Sequence, residues 1–193
     1  MAPMDRCEQE REALLDAALQ QWADGGWTAV DPREAVRRSG VPASCAAEFT
    51  SGAELVCAVF DHIVDERSAN MLQSFAEAAA AGSSPIDRFR VMTTVMLDDV
   101  VRDPRRAVVL ADAIGCPPLV ARRRSANRGF AEIVASQPVG DGVEPDDLRL
   151  AGHFVIGGLA EIVLACVDPD SPVDRERAIE HGAKLLEACA TTR

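Results

Sequence analysis

The residues that decide the fold lie between positions 26 and 41, which read GWTAVDPREAVRRSGV. Asp31 precedes Pro32, and Glu34 follows three positions after Asp31. Aspartate caps helices, proline suits the first helical position, and a glutamate three residues after the cap completes a capping box. Gly40 then ends the helix. The stretch therefore predicts a short, strongly capped helix between two breaks.

Helices are also predicted on both sides of this stretch. Residues 10–23 carry apolar side chains on one helical face, namely Leu14, Leu15, Ala18, Leu19 and Trp22. Val41-Pro42 opens a third short helix over about residues 43–49, which Thr50-Ser51-Gly52 ends. A long helix follows over residues 53–80 and spans roughly 40 Å, because each residue adds about 1.5 Å.

The rest of the chain has the same helical pattern. Helices are predicted over residues 86–101, 103–114, 119–136, 146–167 and 171–190, with breaks rich in glycine, proline or aspartate between them. Alanine and leucine dominate, tyrosine is absent, and no stretch alternates apolar with polar residues as a strand would. We therefore predict an all-α fold.

Residues 11 to about 56 resemble the DNA-binding domain of the TetR/AcrR family of bacterial transcriptional regulators. The first helix ends in a glycine-aromatic pair, and residues 26–36 match the family's pattern without a gap. Residues 38–41 match it as well, and Glu54 stands where the family keeps a glutamate early in its long helix. Beyond this segment the resemblance lies in the layout of the helices.

The resemblance implies a two-part architecture and a function. A helix-turn-helix head, residues 1–52, would be joined by the long helix to a C-terminal ligand-binding and dimerisation domain, residues 53–193. The protein would be a ligand-responsive regulator, a repressor that binds operator DNA as a homodimer through its last two helices. A small apolar ligand would release it from DNA by binding the two states with different affinity.

The recognition segment departs from the family's pattern in four places. Ala47 stands where the family has a tyrosine that lies against the DNA backbone, and Ala53 stands where a lysine contacts phosphate. Thr50 replaces the second member of an aromatic pair, and Pro42 replaces the capping serine. A recognition helix needs donors and acceptors at its exposed positions, and this segment offers few.

We expect any DNA contacts to come from six residues: Arg33, Arg37, Arg38, Ser44, Cys45 and Glu48. For the three arginines, an ordinary solvated face is an equally weighted alternative. Glu48 repels phosphate unless it accepts a hydrogen bond from cytosine. Residues 1–51 contain nine acidic and five basic side chains, and the whole chain carries a net charge of −11. This balance disfavours non-specific binding to DNA, whose affinity comes from basic side chains.

The acidity and the altered recognition segment support a second hypothesis. A TetR-shaped protein that no longer reads DNA would bind a small molecule, act as the partner of another regulator, or catalyse a reaction. Catalysis has the weakest support, because the sequence shows no nucleophile–base pair, metal cluster or phosphate loop. His153 with Asp98 or Asp99 would be the acid–base candidate. We predict neither a cofactor nor a metal site.

Candidate ligand-binding residues come from the apolar faces of the later helices. They are Phe60, Ile63, Phe89, Met92, Met96, Phe130, His153 and Phe154. Methionine suits adaptable apolar cavities, but each residue has plain core packing as its alternative. For His153 the alternative is a hydrogen-bonded histidine in the core or an interface.

The helix over residues 146–167 is apolar nearly all round and includes Gly152, Gly157 and Gly158. Such a helix needs burial on two sides, and glycine within it suggests that another backbone packs closely. A dimer in which the last two helices of each chain form a four-helix bundle satisfies both requirements. The alternative is the central helix of a monomeric bundle.

The six cysteines are scattered and form no C-x-x-C pair, which favours buried free thiols in a reducing cytoplasm. Residues 1–10 are charged and lack the apolar core of a signal peptide. No apolar run approaches the roughly 18 residues of a membrane span. We therefore expect a cytoplasmic protein without membrane contact.

Overall fold

The computed structural model describes residues 6–136, 144–170 and 172–191. These residues form helices and contain no strand, which confirms the all-α prediction. The α-helices are α1 (Arg6–Gly25), α2 (Pro32–Ser39), α3 (Gly52–Ala80), α4 (Pro85–Arg102), α5 (Arg105–Asp112), α6 (Val120–Ala135), α7 (Pro145–Val167) and α8 (Arg175–Thr191). Short 3₁₀ turns cover Trp27–Ala29, Ala43–Ala46 and Pro117–Leu119.

Helix α2 begins and ends where its sequence predicts. The Asp31 carboxylate accepts a hydrogen bond of 2.8 Å from the backbone N–H of Glu34, and Pro32 occupies the first turn. Gly40 adopts the left-handed conformation, with φ of 71°, and its N–H bonds to the Val36 carbonyl at 2.9 Å. Both ends of α2 are therefore satisfied by local groups.

The third short helix does not form as predicted. Residues 43–49 were expected to be helical, but only Ala43–Ala46 forms a helical turn, and it is a 3₁₀ turn. Its hydrogen bonds join residues three apart, as in Cys45 N–H to the Pro42 carbonyl at 2.9 Å. Pro42 precedes the turn and provides no side-chain cap for the free N–H groups with which an α-helix would begin.

The last helix begins four residues later than predicted, at Arg175 instead of 171. Asp174 caps it by accepting a hydrogen bond of 2.8 Å from the N–H of Arg177. Residue 171 itself lies outside the described residues.

The chain divides into two compact units. The first unit comprises residues 1–63 and 108–122. Its described core is built from α1, α2 and the start of α3, around the fully buried Leu14, Trp22 and Leu55. Gly52 lies where α3 begins, and a Cβ atom there would come within 2.1 Å of the Val30 carbonyl oxygen. Only glycine allows this close approach of α3 to the backbone before α2.

The second unit comprises residues 64–107 and 123–193, and in it α8 packs against both α4 and α7. A buried ionic network ties α3 to α4 and α5. Arg67 donates two hydrogen bonds to Asp99, at 3.0 and 2.6 Å, and the two side chains are only 7% and 4% exposed. Arg106 donates to the other Asp99 oxygen at 2.5 Å and also pairs with Glu66.

Helix α7 is apolar along most of its length, but the chain covers only part of it. Its residues 146–167 contain an 18-residue window that suffices by length and composition alone to cross a membrane, so the prediction that no apolar run approaches that length was wrong. Only 33% of the window is buried. Val155, Ile156, Leu159 and Val163 take the buried side, which leaves the opposite side of the helix uncovered.

Candidate DNA-binding head and ligand-binding body

Two of the three predicted DNA-contacting arginines are already paired on the surface of α2. Arg37 donates two hydrogen bonds to the Glu34 carboxylate, at 2.7 and 2.6 Å, and Arg38 donates one at 2.8 Å. Arg38 also reaches Asp24 at 3.2 Å. These bonds, those from Arg37 first, lower the pKa of Glu34 to about 2. Exposed ion pairs of this kind contribute little free energy, so they hold the two guanidinium groups only weakly.

Arg33 is the one arginine of the three without an ion pair among the described residues, and it is exposed. It stands in the first turn of α2, after the capping Asp31. A helix N-terminus favours anions through its free N–H groups and its dipole. Arg33 is therefore the predicted residue best placed to hold a phosphate.

The three predicted contacts of the recognition segment have different surroundings. Ser44 and Glu48 are exposed, whereas Cys45 is half-buried and its thiol lies 3.4 Å from the Glu10 carboxylate of α1. Burial, and then this hydrogen bond, raise the pKa of Cys45. Glu48 lies 3.6 Å from Arg11, which offsets part of its charge. Cys45 therefore contacts α1, and Ser44 and Glu48 remain as the exposed polar groups.

The predicted ligand-binding residues fall into two groups. Six are buried: Phe60 and Ile63 in the first unit, and Phe89, Met92, Met96 and Phe130 in the second. His153 and Phe154 are exposed, with Phe154 at 72%. The structure therefore does not bury His153 and Phe154 together with the other six candidates. The helical period of α7 turns them outward, because the neighbouring Val155 and Ile156 take the inward face.

A groove of about 690 Å³ lies on the outer side of α7 and α8. Its walls are mostly apolar and include Ile162, Ala165, Val173, Ala178, His181 and Leu185. Asp174 and Arg177 also line it. The sequence did not indicate this groove, because it forms only where α7 and α8 pack side by side. We call it the outer groove.

No protein-family model matches, and no curated protein matches. Solved structures do match. The fatty acid degradation regulator FadR from Bacillus halodurans superposes with a TM-score of 0.77 over 100% of both chains, at 16% identity. A transcriptional regulator from Rhodococcus sp. Rha1 gives 0.74 at 18% identity, covering 95% of this chain and 98% of that one.

Two further neighbours have the same architecture. A TetR-family transcriptional regulator from Syntrophomonas wolfei gives a TM-score of 0.75 at 12% identity, covering 95% of this chain and 96% of that chain. The multidrug binding protein EbrR, solved with imidazole, gives 0.64 at 18% identity over 96% and 97%. The chain has the TetR-type fold.

Within the TetR-type head, Glu54 has a local role that the sequence match did not reveal. Its carboxylate accepts hydrogen bonds from the Thr50 N–H at 2.6 Å and from the Thr50 hydroxyl at 2.9 Å. These bonds lower the pKa of Glu54, the backbone bond first. Glu54 thereby fixes the turn between the recognition segment and α3. Ala47 and Ala53 are both exposed beside this turn.

The TetR-type body does not assemble the acid–base pair considered from the sequence. Asp98 pairs with Arg175 at 2.5 Å, Asp99 is held by Arg67, and His153 hydrogen-bonds to neither. A general base must lie within hydrogen-bond reach of its partner, so the structure does not support an acid–base pair of His153 with Asp98 or Asp99. The described residues also contain no group of three or more histidine, cysteine or acidic side chains that would hold a metal.

Proposed function

We propose that this protein is a ligand-responsive transcriptional regulator of the TetR type, a cytoplasmic repressor that binds operator DNA as a homodimer. The observation that carries the proposal is the extent of the structural match. Regulator structures align over 95–100% of the chain, so both the head and the helical body are present. In this proposal residues 1–52 form the DNA-binding domain and residues 53–193 the ligand-binding and dimerisation domain.

DNA binding would depend more on α2 than on the recognition segment. Arg33 would hold a phosphate directly. Arg37 and Arg38 would give up their hydrogen bonds to the Glu34 carboxylate and donate to phosphate oxygens instead. Ser44 and Glu48 would face the base edges, with Glu48 accepting from a cytosine amino group. Cys45, whose thiol lies against Glu10, would hold the recognition segment against α1 and would not contact DNA. Phosphate contacts position a protein on DNA, and base contacts specify the site.

The ligand would be small and apolar, held by the buried aromatic and methionine residues of the body. Phe89, Met92 and Met96 lie within about two turns of α4 and are nearly fully buried. Methionine is flexible and fills irregular spaces, so this region can adapt to a guest. The names of two neighbours, a fatty acid degradation regulator and a multidrug binding protein, agree with an apolar ligand. The ligand would release the protein from DNA only if it bound the DNA-bound and the DNA-free states of the protein with different affinities.

A selection from genomic DNA tests this proposal. The full-length protein, immobilised, would be offered sheared DNA from its source organism at about 150 mM salt, where weak phosphate binding is reduced. The expected result is enrichment of a few fragments, including the one upstream of the protein's own gene. The matched control is the triple variant Arg33→Ala, Arg37→Ala, Arg38→Ala, which should enrich none.

A second function is favoured by the recognition segment itself. A single 3₁₀ turn, Ala43–Ala46, stands where a DNA-reading helix is needed, and the adjacent arginines are paired with acidic side chains. A TetR-type protein that has lost DNA reading would use its body to bind a small molecule or to partner another regulator. Selection of no fragment, together with a ligand that copurifies in native mass spectrometry, would favour this alternative.

A further inference from the structure

The uncovered side of α7 presents a row of residues that we call the outer stripe: Leu150, His153, Phe154, Gly157, Gly158 and Glu161. Leu150 is 69% exposed and Phe154 is 72% exposed. A Cβ atom built on Gly157 or Gly158 would meet nothing within 4 Å. Large apolar side chains therefore stand at one end of the stripe, and a bare backbone lies at its centre.

The other end of the stripe leads into the outer groove. Ile162 and Ala165 follow Glu161 along α7 and form one wall of the groove, while His181 and Leu185 of α8 form the other. The groove of about 690 Å³ is open and mostly apolar. Each chain thus carries the exposed Phe154 ring and the apolar outer groove on the same surface. The two are separated by about two turns of helix.

We propose that two copies of this chain pack α7 against α7 in antiparallel directions, with the two-fold axis at Gly157–Gly158 and Phe154 of each copy seated in the outer groove of the other. The inference rests on the homodimer proposed above and gives its register. A two-fold contact uses the same patch on both subunits, so the patch must be complementary to itself. Phe154 lies at one end of the contact and the outer groove at the other. The patch is therefore complementary to itself only when the two helices run in opposite directions.

The sequence spacing agrees with this register. Residues equally far from the axis face each other, so Phe154, four positions before Gly158, faces Glu161, four positions after Gly157. The next residue after Glu161 is Ile162, which is a wall of the outer groove. The two glycines at the centre carry no side chain, which allows the helix backbones to approach closely. Each Phe154 ring would therefore lie beside the groove wall of the other copy, about one helical turn from the point where the helices cross.

The polar side chains of the stripe are also complementary in this register, because a histidine can donate a hydrogen bond to a carboxylate. His153 and Glu161 are exposed, and neither forms a hydrogen bond or ion pair among the described residues of its own chain. In the antiparallel contact, His153 of one copy lies beside Glu161 of the other, and the pair occurs twice. A parallel contact would instead place Phe154 against Phe154 and Glu161 against Glu161. That arrangement would leave both grooves empty and oppose like charges.

Sedimentation equilibrium of the full-length protein over a concentration series tests the register. Phe154→Ala should raise the dimer dissociation constant by on the order of 100-fold, because a central aromatic residue is lost from both copies. The matched control is Leu72→Ala, which removes another large exposed apolar side chain, 55% exposed, from α3 and should leave the constant unchanged. Both residues are exposed within the chain, so circular dichroism should show folded protein in each case.

A charge exchange tests the orientation separately. His153→Glu alone should weaken the dimer, since it places two acidic residues together at each end of the contact. His153→Glu combined with Glu161→Lys should restore affinity to within about threefold of the wild type. A dimer that tolerates Phe154→Ala, or a double variant weaker than the single, would overturn the register while leaving the homodimer intact. A monomer at all concentrations would overturn the register and the proposed homodimer together.

Discussion

The indole N–H of Trp22 donates a hydrogen bond of 2.9 Å to the carboxylate of Asp112, which lies 90 positions further along the chain. Trp22 is fully buried in α1, and Asp112 is the last residue of α5. The bond attaches the end of α5 to the helices that precede α3. Residues 108–122 are consequently part of the first unit, along with residues 1–63.

Removing the acceptor should destabilise the first unit. Asp112→Ala leaves the buried Trp22 N–H without a partner, which should cost about 1–3 kcal/mol of unfolding free energy. Urea denaturation followed by circular dichroism measures this loss. Glu12→Ala, an exposed change on the same helix α1, is the control and should cost less than about 0.5 kcal/mol. Equal effects of the two substitutions would show that the bond contributes nothing.

Neighbouring aspartates in α4 should differ sharply in their importance for stability. Asp99→Ala would leave Arg67 without its buried partner, at a cost of about 3–5 kcal/mol. Asp98→Ala removes an ion pair with Arg175 in which both side chains are nearly half exposed, and should cost under about 1 kcal/mol. Thermal unfolding of the two variants compares them directly. Similar melting temperatures would mean that the Arg67–Asp99 pair does not hold the second unit together.

The Glu34 carboxylate should titrate far below its usual range. Its pKa is lowered from 4.5 to about 2, first by Arg37 and then by Arg38. Because the folded-state pKa is depressed, the stabilisation is fully present above pH 4.5 and is lost as the pH falls towards about 2. Carbon-13 NMR of the side-chain carboxyl measures the value. In an Arg37→Ala, Arg38→Ala variant the pKa should return towards 4.5, and a pKa that stayed low would assign the shift to another group.

Restoring two side chains of the family's pattern should increase DNA affinity. Ala47 and Ala53 are both exposed, so Ala47→Tyr and Ala53→Lys can be introduced without overpacking the core. A tyrosine against the DNA backbone and a lysine near a phosphate would add contacts. The added lysine would also steepen the salt dependence of the binding constant by about the contribution of one phosphate contact. Fluorescence anisotropy on the selected fragment measures both effects. Ala80→Lys, at the far end of α3, is the control for added charge, and no gain over it would mean that the recognition segment has been aligned wrongly.

The sequence predicted the elements whose signals are local. Asp31, Pro32 and Gly40 determine both ends of α2 through their own backbone and side-chain bonds, so their spacing was sufficient. The third helix does not form over its predicted length, and Pro42 does not supply the side-chain cap that would stabilise its first turn. The apolar character of α7 was visible, but which face the chain covers depends on where α8 and α4 pack. The ligand-binding candidates His153 and Phe154 therefore lie on the uncovered face, which the sequence pattern alone did not show.

The ionic contacts around the candidate DNA-binding residues could not be predicted from spacing alone. Glu34 was recognised as part of the capping box, yet its side chain bonds to Arg37 and Arg38. Arg11 and Glu48 lie 37 positions apart in sequence and meet only because the recognition segment packs against α1. Contacts between distant segments of this kind determine how much positive charge the head presents at its surface.

The most direct test of the central claim is the affinity of the full-length protein for one defined DNA fragment. Fluorescence anisotropy at about 150 mM salt would compare the fragment upstream of the protein's own gene with an unrelated fragment of equal length. As a DNA-reading regulator, the protein should bind the first at least about 1,000-fold more tightly. Equal affinity for the two fragments, or no binding to either, would contradict the proposed function.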